Sequence, residues 1–252
     1  MYARRAGQKG KPEPFPAPPP GDLPAEEFLR CLTNVAFLSH PKLTHPFALR
    51  LAQGRWTTSQ LRIWVCQDYE RIVTAIRRHS LLAALAEDYE TLRGLLARVK
   101  DEADVDPVGG TFFALPQLWI KFGIALGLSR QEIVRAHTHP GINELNQAML
   151  TEARAATSLP VSDLVDALLD PVFYRIWGES LQPTLGLSAD ALGYFWAIAS
   201  DRWGEETGQA ILAKRASTPE DRTVLWEQYR AECQQCREWD RLSLLHDLSS
   251  PC

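Results

Sequence analysis

The segment from Thr57 to Leu85 constrains the fold of this chain more than any other, because it predicts one long amphipathic helix. Thr57 and the three residues after it are typical of a helix start. Apolar residues then recur at the three-to-four-residue spacing of one buried face, at Leu61, Val65, Ile72, Ile76 and Ala83. Asp68 lies on the same face. A carboxylate there needs a cation, a hydrogen-bond donor or a polar cavity, so Asp68 belongs either to a small-molecule site or to a salt bridge with a neighbouring helix.

Nearly every other segment after residue 22 carries a helical signal, and none predicts a strand. Gly127 is placed as a C-cap, and Pro219 follows Thr218 at the first position of a helix. Besides the long helix, the sequence predicts helices over 25–37, 45–52, 88–103, 114–126, 130–136, 142–156, 163–181, 189–215 and 220–247. The helix over 189–215 is expected to bend near Gly204. We therefore predict one all-α domain over residues 23–252.

Composition excludes several classes of function. The 252 residues carry a net charge of −4 with acids and bases interspersed, so no basic face predicts nucleic-acid binding. No apolar run has the length of a membrane span. The five cysteines are odd in number and scattered, which favours a reducing, cytoplasmic location. Residues 1–22 are rich in Pro and Gly, are expected to form a disordered tail, and do not have the pattern of a secretory signal.

Two groups of motifs follow the order and spacing of motifs in a known group of proteins. The first is His45-Pro46-Phe47, followed by Leu51-Ala52-Gln53-Gly54 and by Gln60-Leu61-Arg62-Ile63-Trp64-Val65 with Gln67-Asp68-Tyr69. The second runs from Leu118-Trp119 through Ala125-Leu126-Gly127-Leu128 to Glu132-Ile133, with Thr138-His139-Pro140-Gly141 after it. Together they resemble the heme-oxygenase-like fold, and within it the group of TenA (thiaminase II) and PqqC (pyrroloquinoline-quinone synthase). The resemblance implies a bundle of about seven to nine helices, a central pocket for a small organic molecule, and a homodimer.

The sequence also differs from that group at several positions, and these differences limit which activities the resemblance implies. In its diiron members a late helix carries a His-x-x-x-Asp-x-x-His pattern, whose three positions fall here on Ala199, Trp203 and Glu206. Too few nitrogen ligands remain for an ordinary diiron site. The cysteine nucleophile of TenA is expected near Asp170 to Val172, where this chain has none. PqqC, which works without metal, is therefore the closer comparison, and we expect no metal and no cofactor.

Eight residues are candidates for the site. Asp68 and Glu206 are the predicted catalytic acids, because Glu206 also shares a helix face with apolar residues. The resemblance and the spacing add Tyr69, Tyr174, Arg175, Glu179, Glu102 and His139 as predicted substrate-binding residues. Each also has an ordinary structural interpretation: the tyrosines as core residues, Arg175 with Glu179 as an ion pair, His139 as a loop residue.

Two further motifs are interpreted structurally. His79 is three helical turns from Asp68, too far along one helix to bond it, and is expected at a cavity floor or bonded to backbone. Cys233 and Cys236 lie within a predicted helix without a second cysteine pair, so two buried residues are expected rather than a zinc or redox site.

Three functions remain open. The first is a metal-independent enzyme similar to PqqC, possessing acid/base groups and acting in the biosynthesis of a cofactor or secondary metabolite. The second is a non-catalytic member of the fold that binds a ligand or a partner. The third is a diiron oxidase with carboxylate-rich ligation by Asp68, Glu102 and Glu206.

Overall fold

A computed structural model describes residues 22–86, 88–103, 114–156, 158–234 and 237–249. The predicted tail over residues 1–22 lies outside the described residues except for Asp22, and so does Cys236. Within the described ranges the chain is helical and contains no strand. The same ranges hold no helix that combines the length and the apolar character required to cross a bilayer. The all-α prediction is confirmed.

The helices follow one another with short connections. In chain order they are α1 (Ala25–Ser39), α2 (Pro41–Thr44), α3 (Pro46–Ala52), α4 (Thr58–Ala83), α5 (Tyr89–Ala103), α6 (Leu115–Ala125), α7 (Arg130–Val134), α8 (Pro140–Ala155), α9 (Val161–Leu185), α10 (Gly193–Ala199), a π-helical turn (Gly204–Gly208), α11 (Gln209–Arg215), α12 (Pro219–Gln234) and α13 (Arg237–Ser249).

The long helix begins where the sequence predicts. Thr57 Oγ1 accepts from the Gln60 backbone N–H at 3.3 Å, and Gln60 Oε1 accepts from the Thr57 N–H at 3.0 Å. This reciprocal capping box satisfies two backbone donors at the start of α4. The helix then buries Leu61, Val65 and Ile72, as the spacing indicates.

Three other helices begin at a His-Pro pair. The Nδ1 atoms of His40, His45 and His139 accept from the backbone N–H two residues further on, at 3.0, 3.0 and 3.1 Å. The proline after each histidine lacks an N–H at a position where it would have no intrahelical partner. Neutral histidine thus acts as the N-cap of α2, α3 and α8.

The predicted helix over 189–215 is divided into α10, the π-helical turn and α11. The chain leaves the helical conformation at 200–202. Gly204, where it resumes, lies against α9, because a Cβ there would be 2.1 Å from the carbonyl oxygen of Ala167. Only glycine permits this approach of two backbones. The predicted helix over 220–247 is described as α12 and α13, which lie on either side of residues 235–236, outside the described ranges.

The core consists of two groups of apolar side chains. One is dominated by aromatic residues of α3, α4, α6, α9 and α10, among them Phe47, Trp64, Trp119, Phe122, Trp177 and Phe195. Trp64 and Trp119 meet edge to face, with ring centroids 4.9 Å apart. The other joins α1, α9, α11 and α12 and includes Phe28, Phe173 and Trp226. A cavity of about 1700 Å³ is lined mainly by α4, α5, α9, α10 and the π-helical turn, as expected for this bundle.

Candidate functional site

One face of α9 carries a row of acids into the cavity. Asp163, Asp166 and Asp170 are three and four residues apart, so they share a helix face, and Tyr174 continues the row. Each acid is paired with a base: Asp163 with Arg78, Asp166 with His40 at 3.1 Å, and Asp170 with Lys42. The cavity wall is therefore polar: Asp163 and Asp170 are neutralised by ion pairs, and Asp166 accepts a hydrogen bond from His40.

Lys42 is a buried ammonium in this wall. Its Nζ donates to Asp170 and lies 5.4 Å from the centroid of the Tyr174 ring. Burial alone would lower the pKa of Lys42, but Asp170, Glu238 and Asp166 raise it above its ordinary value. Lys42 is therefore a cation at neutral pH, not a free amine nucleophile.

Two buried tyrosines, Tyr174 and Tyr194, lie beside one another with ring centroids 5.8 Å apart. Burial raises the pKa of Tyr174 to about 12, and it raises that of Tyr194 well above the ordinary value. Both phenols consequently keep their protons at neutral pH. They line the cavity as hydrogen-bond donors.

A histidine held by a carboxylate lies on the α4 and α5 side of the cavity. His79 Nδ1 is 2.7 Å from Glu102 Oε2, and Arg98 Nε donates to Glu102 Oε1 at 3.2 Å. Burial would raise the pKa of Glu102, but His79 and Arg98 lower it below the ordinary value. Glu102 is thus a carboxylate held by His79 Nδ1 and by Arg98, and Nε2 of His79 has no hydrogen-bond partner among the described residues.

Asp68 lies behind the cavity wall in a buried ionic cluster. It is fully buried, accepts two contacts of 2.7 Å from Arg241 Nη1, and accepts from the Trp64 indole N–H at 3.0 Å. Arg71, which lines the cavity, is 3.2 Å from Asp68 Oδ2. Arg241 also binds Glu238, whose pKa Arg241, Lys42 and Arg71 hold well below its usual range despite burial.

Glu206, the other predicted catalytic acid, lies in the π-helical turn at the edge of the cavity. Its side chain is 63% exposed and pairs with the exposed Arg202 at 3.5 Å. The structure does not bring Asp68 and Glu206 together, because Asp68 faces Arg241 and Arg71 inside the protein while Glu206 faces solvent.

The predicted substrate-binding residues divide into two groups. Tyr174 and Glu102 line the cavity. The other four lie outside its wall: Tyr69 packs against the aromatic core, the exposed Arg175 donates to the Ala199 carbonyl at 3.2 Å, Glu179 is exposed, and His139 caps α8.

Several residues of the wall were not among the predicted ones, including His40, Lys42, Asp166 and Asp170. The acids had a usable signal, because their spacing over 163–174 places them on one helix face. The bases had no such signal in the sequence, because Lys42 binds Asp170, which lies 128 positions away in the chain.

The residues proposed for carboxylate-rich metal ligation do not meet. Asp68, Glu102 and Glu206 each bind different basic side chains. Across the described part of the chain, no three His, Cys, Asp or Glu side chains group as a metal site requires. Cys233 is half-buried on α12, and its predicted neighbour Cys236 lies outside the described residues.

Comparison with known structures defines the class of fold. A crystal structure of a domain of unknown function with a heme oxygenase-like fold, from Shewanella denitrificans OS217, superposes with a TM-score of 0.65. The match covers 90% of this chain and 92% of that one at 15% sequence identity. The chain therefore has a heme oxygenase-like fold.

Sequence comparison defines the family. The profile of the TENA/THI-4/PQQC family matches residues 32–161, and the chain belongs to this family. It is 24% identical over 139 residues to pyrroloquinoline-quinone synthase of Acinetobacter baumannii strain AYE, and 23% identical over 139 residues to that of Acinetobacter calcoaceticus. These matches cover 55% of this chain and 53% of each relative, so the chain spans about half the length of the curated relatives it matches.

Proposed function

We propose that this chain is an enzyme that binds a small organic molecule in the central cavity and transfers a proton to or from it. The observation that carries the proposal is the His79–Glu102–Arg98 group on the cavity wall. Glu102 orients the imidazole and stabilises the imidazolium that forms when Nε2 takes a proton. Family membership supports an enzymatic role in general, without naming the substrate.

The neutral tyrosines supply hydrogen-bond donors to this site, whereas the histidine acts in it as a proton acceptor. Tyr174 and Tyr194 hydrogen-bond an oxygen or nitrogen of the bound molecule, and the charged Lys42 beneath Tyr174 stabilises negative charge that develops there. In the proposed arrangement Asp68 is a positioning residue, because it holds Arg71 in the wall.

The resemblance to pyrroloquinoline-quinone synthases favours an oxidation as the overall reaction. In that version His79 removes a proton from the substrate, and two electrons and two protons pass from the substrate to dioxygen, which leaves as hydrogen peroxide. As part of the same proposal, the chain forms a homodimer and is located in the reducing cytoplasm.

The test is turnover of an unknown substrate in a mixture. The full chain, His79→Gln and Glu102→Gln are each incubated with a small-molecule extract, and untargeted mass spectrometry follows which compounds are consumed. We expect the wild-type chain to deplete a compound that both variants spare. His137→Gln, which changes an exposed histidine outside the cavity wall, is the matched control and should behave as wild type.

Two results would count against the proposal. Equal depletion by wild type and His79→Gln would remove His79 from the chemistry. Retention of a compound without turnover would favour the alternative of a non-catalytic ligand-binding member of the fold. An oxygen electrode on the same samples separates an oxidation from proton transfer alone.

A further inference from the structure

Each half-buried acid of the cavity wall but one is bound by a basic side chain or has both of its oxygens hydrogen-bonded. Among the described residues, Glu102 is bound by His79 and Arg98, Asp163 by Arg78, Asp166 by His40, Asp170 by Lys42, Glu238 by Arg241, and Glu232 by the backbone N–H groups of Val161 and Ser162. The remaining acid of this kind is Asp201.

One carboxylate oxygen of Asp201 accepts a hydrogen bond, and the other is open, with no hydrogen-bond donor among the described residues. Its Oδ1 accepts from the Trp203 backbone N–H at 2.8 Å, which holds the carboxylate at the end of the turn between α10 and the π-helical turn. Its Oδ2 receives no hydrogen bond from a described residue, and no described basic side chain lies within 4.0 Å of it. Arg98, a base whose charge acts on Asp201, already binds Glu102 and lies 4.8 Å from the centroid of the Trp203 ring.

Burial is the main cause that raises the pKa of Asp201; the Trp203 N–H and Arg98 oppose the change, and Glu102 and Asp170 add to it. A positive group that binds the open oxygen would stabilise the carboxylate against this cost of burial. The half-buried bases of the wall, by contrast, already have acidic partners within the described residues: Lys42, Arg71, Arg78, Arg98, Lys121 and Arg237.

Among the half-buried side chains of the wall, a ligand therefore meets an open carboxylate rather than an open cation, while the cation Lys100 lines the cavity as an exposed side chain. Trp196 and Trp203 line the same cavity on either side of Asp201 in the sequence, and indole faces attract both apolar groups and cations. Building on the proposed function, we propose that Asp201 is a specificity-determining residue that binds a protonated amine of the substrate. The substrate class is thus an amine with an apolar or aromatic body.

The experiment uses three probes of similar shape and different charge: 2-phenylethylamine, phenylacetate and 2-phenylethanol. Ligand-observed NMR on the full chain measures their dissociation constants near neutral pH, where the amine is protonated. We expect the amine to bind more tightly than the other two. Asp201→Asn should weaken the amine roughly tenfold to a hundredfold, the effect of losing a charged hydrogen bond, and leave the alcohol unchanged.

Asp201→Asn keeps the acceptor for the Trp203 N–H, so the turn is retained. Asp101→Asn is the matched control, because Asp101 is an exposed acid on the wall of the same cavity, and it should leave amine binding unchanged. Equal or tighter binding of phenylacetate, or no effect of Asp201→Asn, would overturn the amine assignment and leave the proposed function standing. Failure of all three probes to bind would overturn the assignment of an amine with an apolar or aromatic body, while the depletion experiment with His79→Gln would still decide the proposed function.

Discussion

At the scale of single residues, Asp68 shows how one side chain can hold a site together without facing it. The carboxylate neutralises Arg241 and Arg71 and receives the Trp64 indole N–H. The sequence placed Asp68 on a buried face, and that was correct. It left open whether the partner was a ligand or another helix, because the partner Arg241 is 173 positions away in the chain.

Asp68→Asn tests this placement. The substitution leaves the guanidinium of Arg71 without its acidic partner, while Arg241 keeps Glu238. Because a buried cation then lacks its counter-charge, the free energy of unfolding should fall by about 3–5 kcal/mol. Urea denaturation of the full chain measures the loss. Glu70→Gln, which removes an exposed ion pair with Arg77 on the same helix, should cost at most about 1 kcal/mol. A variant of Asp68 as stable as wild type would show that the cluster adds no stability.

His45 is expected to make stability depend on pH. Burial, His246 and Arg241 lower its pKa from 6.5 to about 4. The unfolded chain therefore binds a proton at this residue before the folded chain does. The contribution to stability is complete above pH 6.5 and is lost as the pH falls toward about 4, by roughly 3 kcal/mol in total.

His45→Asn isolates this contribution. Asparagine still offers an oxygen to the N-terminus of α3 but does not take up a proton. Denaturation of both proteins across the window from pH 6.5 to about 4 should give a flatter profile for the variant. Parallel profiles would mean that His45 is not the titrating group.

At the scale of elements, the sequence predicts a helix correctly where local residues determine its start. It predicts the helix less well where the chain contacts the backbone of a distant helix. The capping box before α4 is a local signal, and the predicted start agrees with the structure. The continuous helix predicted over 189–215 was wrong, because the chain leaves the helical conformation at 200–202 and resumes with a π-helical turn. A bend near Gly204 was expected, and there the backbone lies against Ala167 of α9, a contact with a residue outside the segment.

The two glycines of this turn form a matched pair of tests. A Cβ at Gly204 would lie 2.1 Å from the Ala167 oxygen, whereas the nearest atom to a Cβ at Gly208 is 3.4 Å away. Gly204→Ala should therefore destabilise the protein by about 1–3 kcal/mol. Gly208→Ala should stabilise it by roughly 0.5–1 kcal/mol, because alanine loses less backbone entropy on folding. Equal melting temperatures for the two variants would contradict the close approach of the π-helical turn to α9.

At the scale of the whole molecule, the fold was predictable from periodicity, caps and motif order, while the cavity wall was only partly predictable. Tyr174 and Glu102 were predicted from the resemblance to the family, and both line the cavity. His40, Lys42 and Asp201 were not, because a side chain's role in a wall depends on which helices face one another. The acid row on α9 shows that the same spacing argument applied to charged residues would have recovered more of the site.

The homodimer remains a prediction at this scale. Sedimentation equilibrium of the full chain should give twice the mass of 28.3 kDa across a wide range of concentrations. A mass of one chain at every concentration would show that the expectation taken from the resemblance to TenA and PqqC does not hold for this protein.

The edge-to-face contact of Trp64 with Trp119 has an optical consequence. Two indoles with centroids 4.9 Å apart and planes at 80° couple their excited states, since coupling between chromophores grows steeply as they approach. The pair should produce a couplet in the circular dichroism spectrum that Trp119→Phe weakens, leaving the smaller coupling of Trp64 to Trp177, whose ring centroid is 6.2 Å away. Because Trp64 also donates to Asp68, the same signal reports on the ionic cluster behind the cavity without any added label.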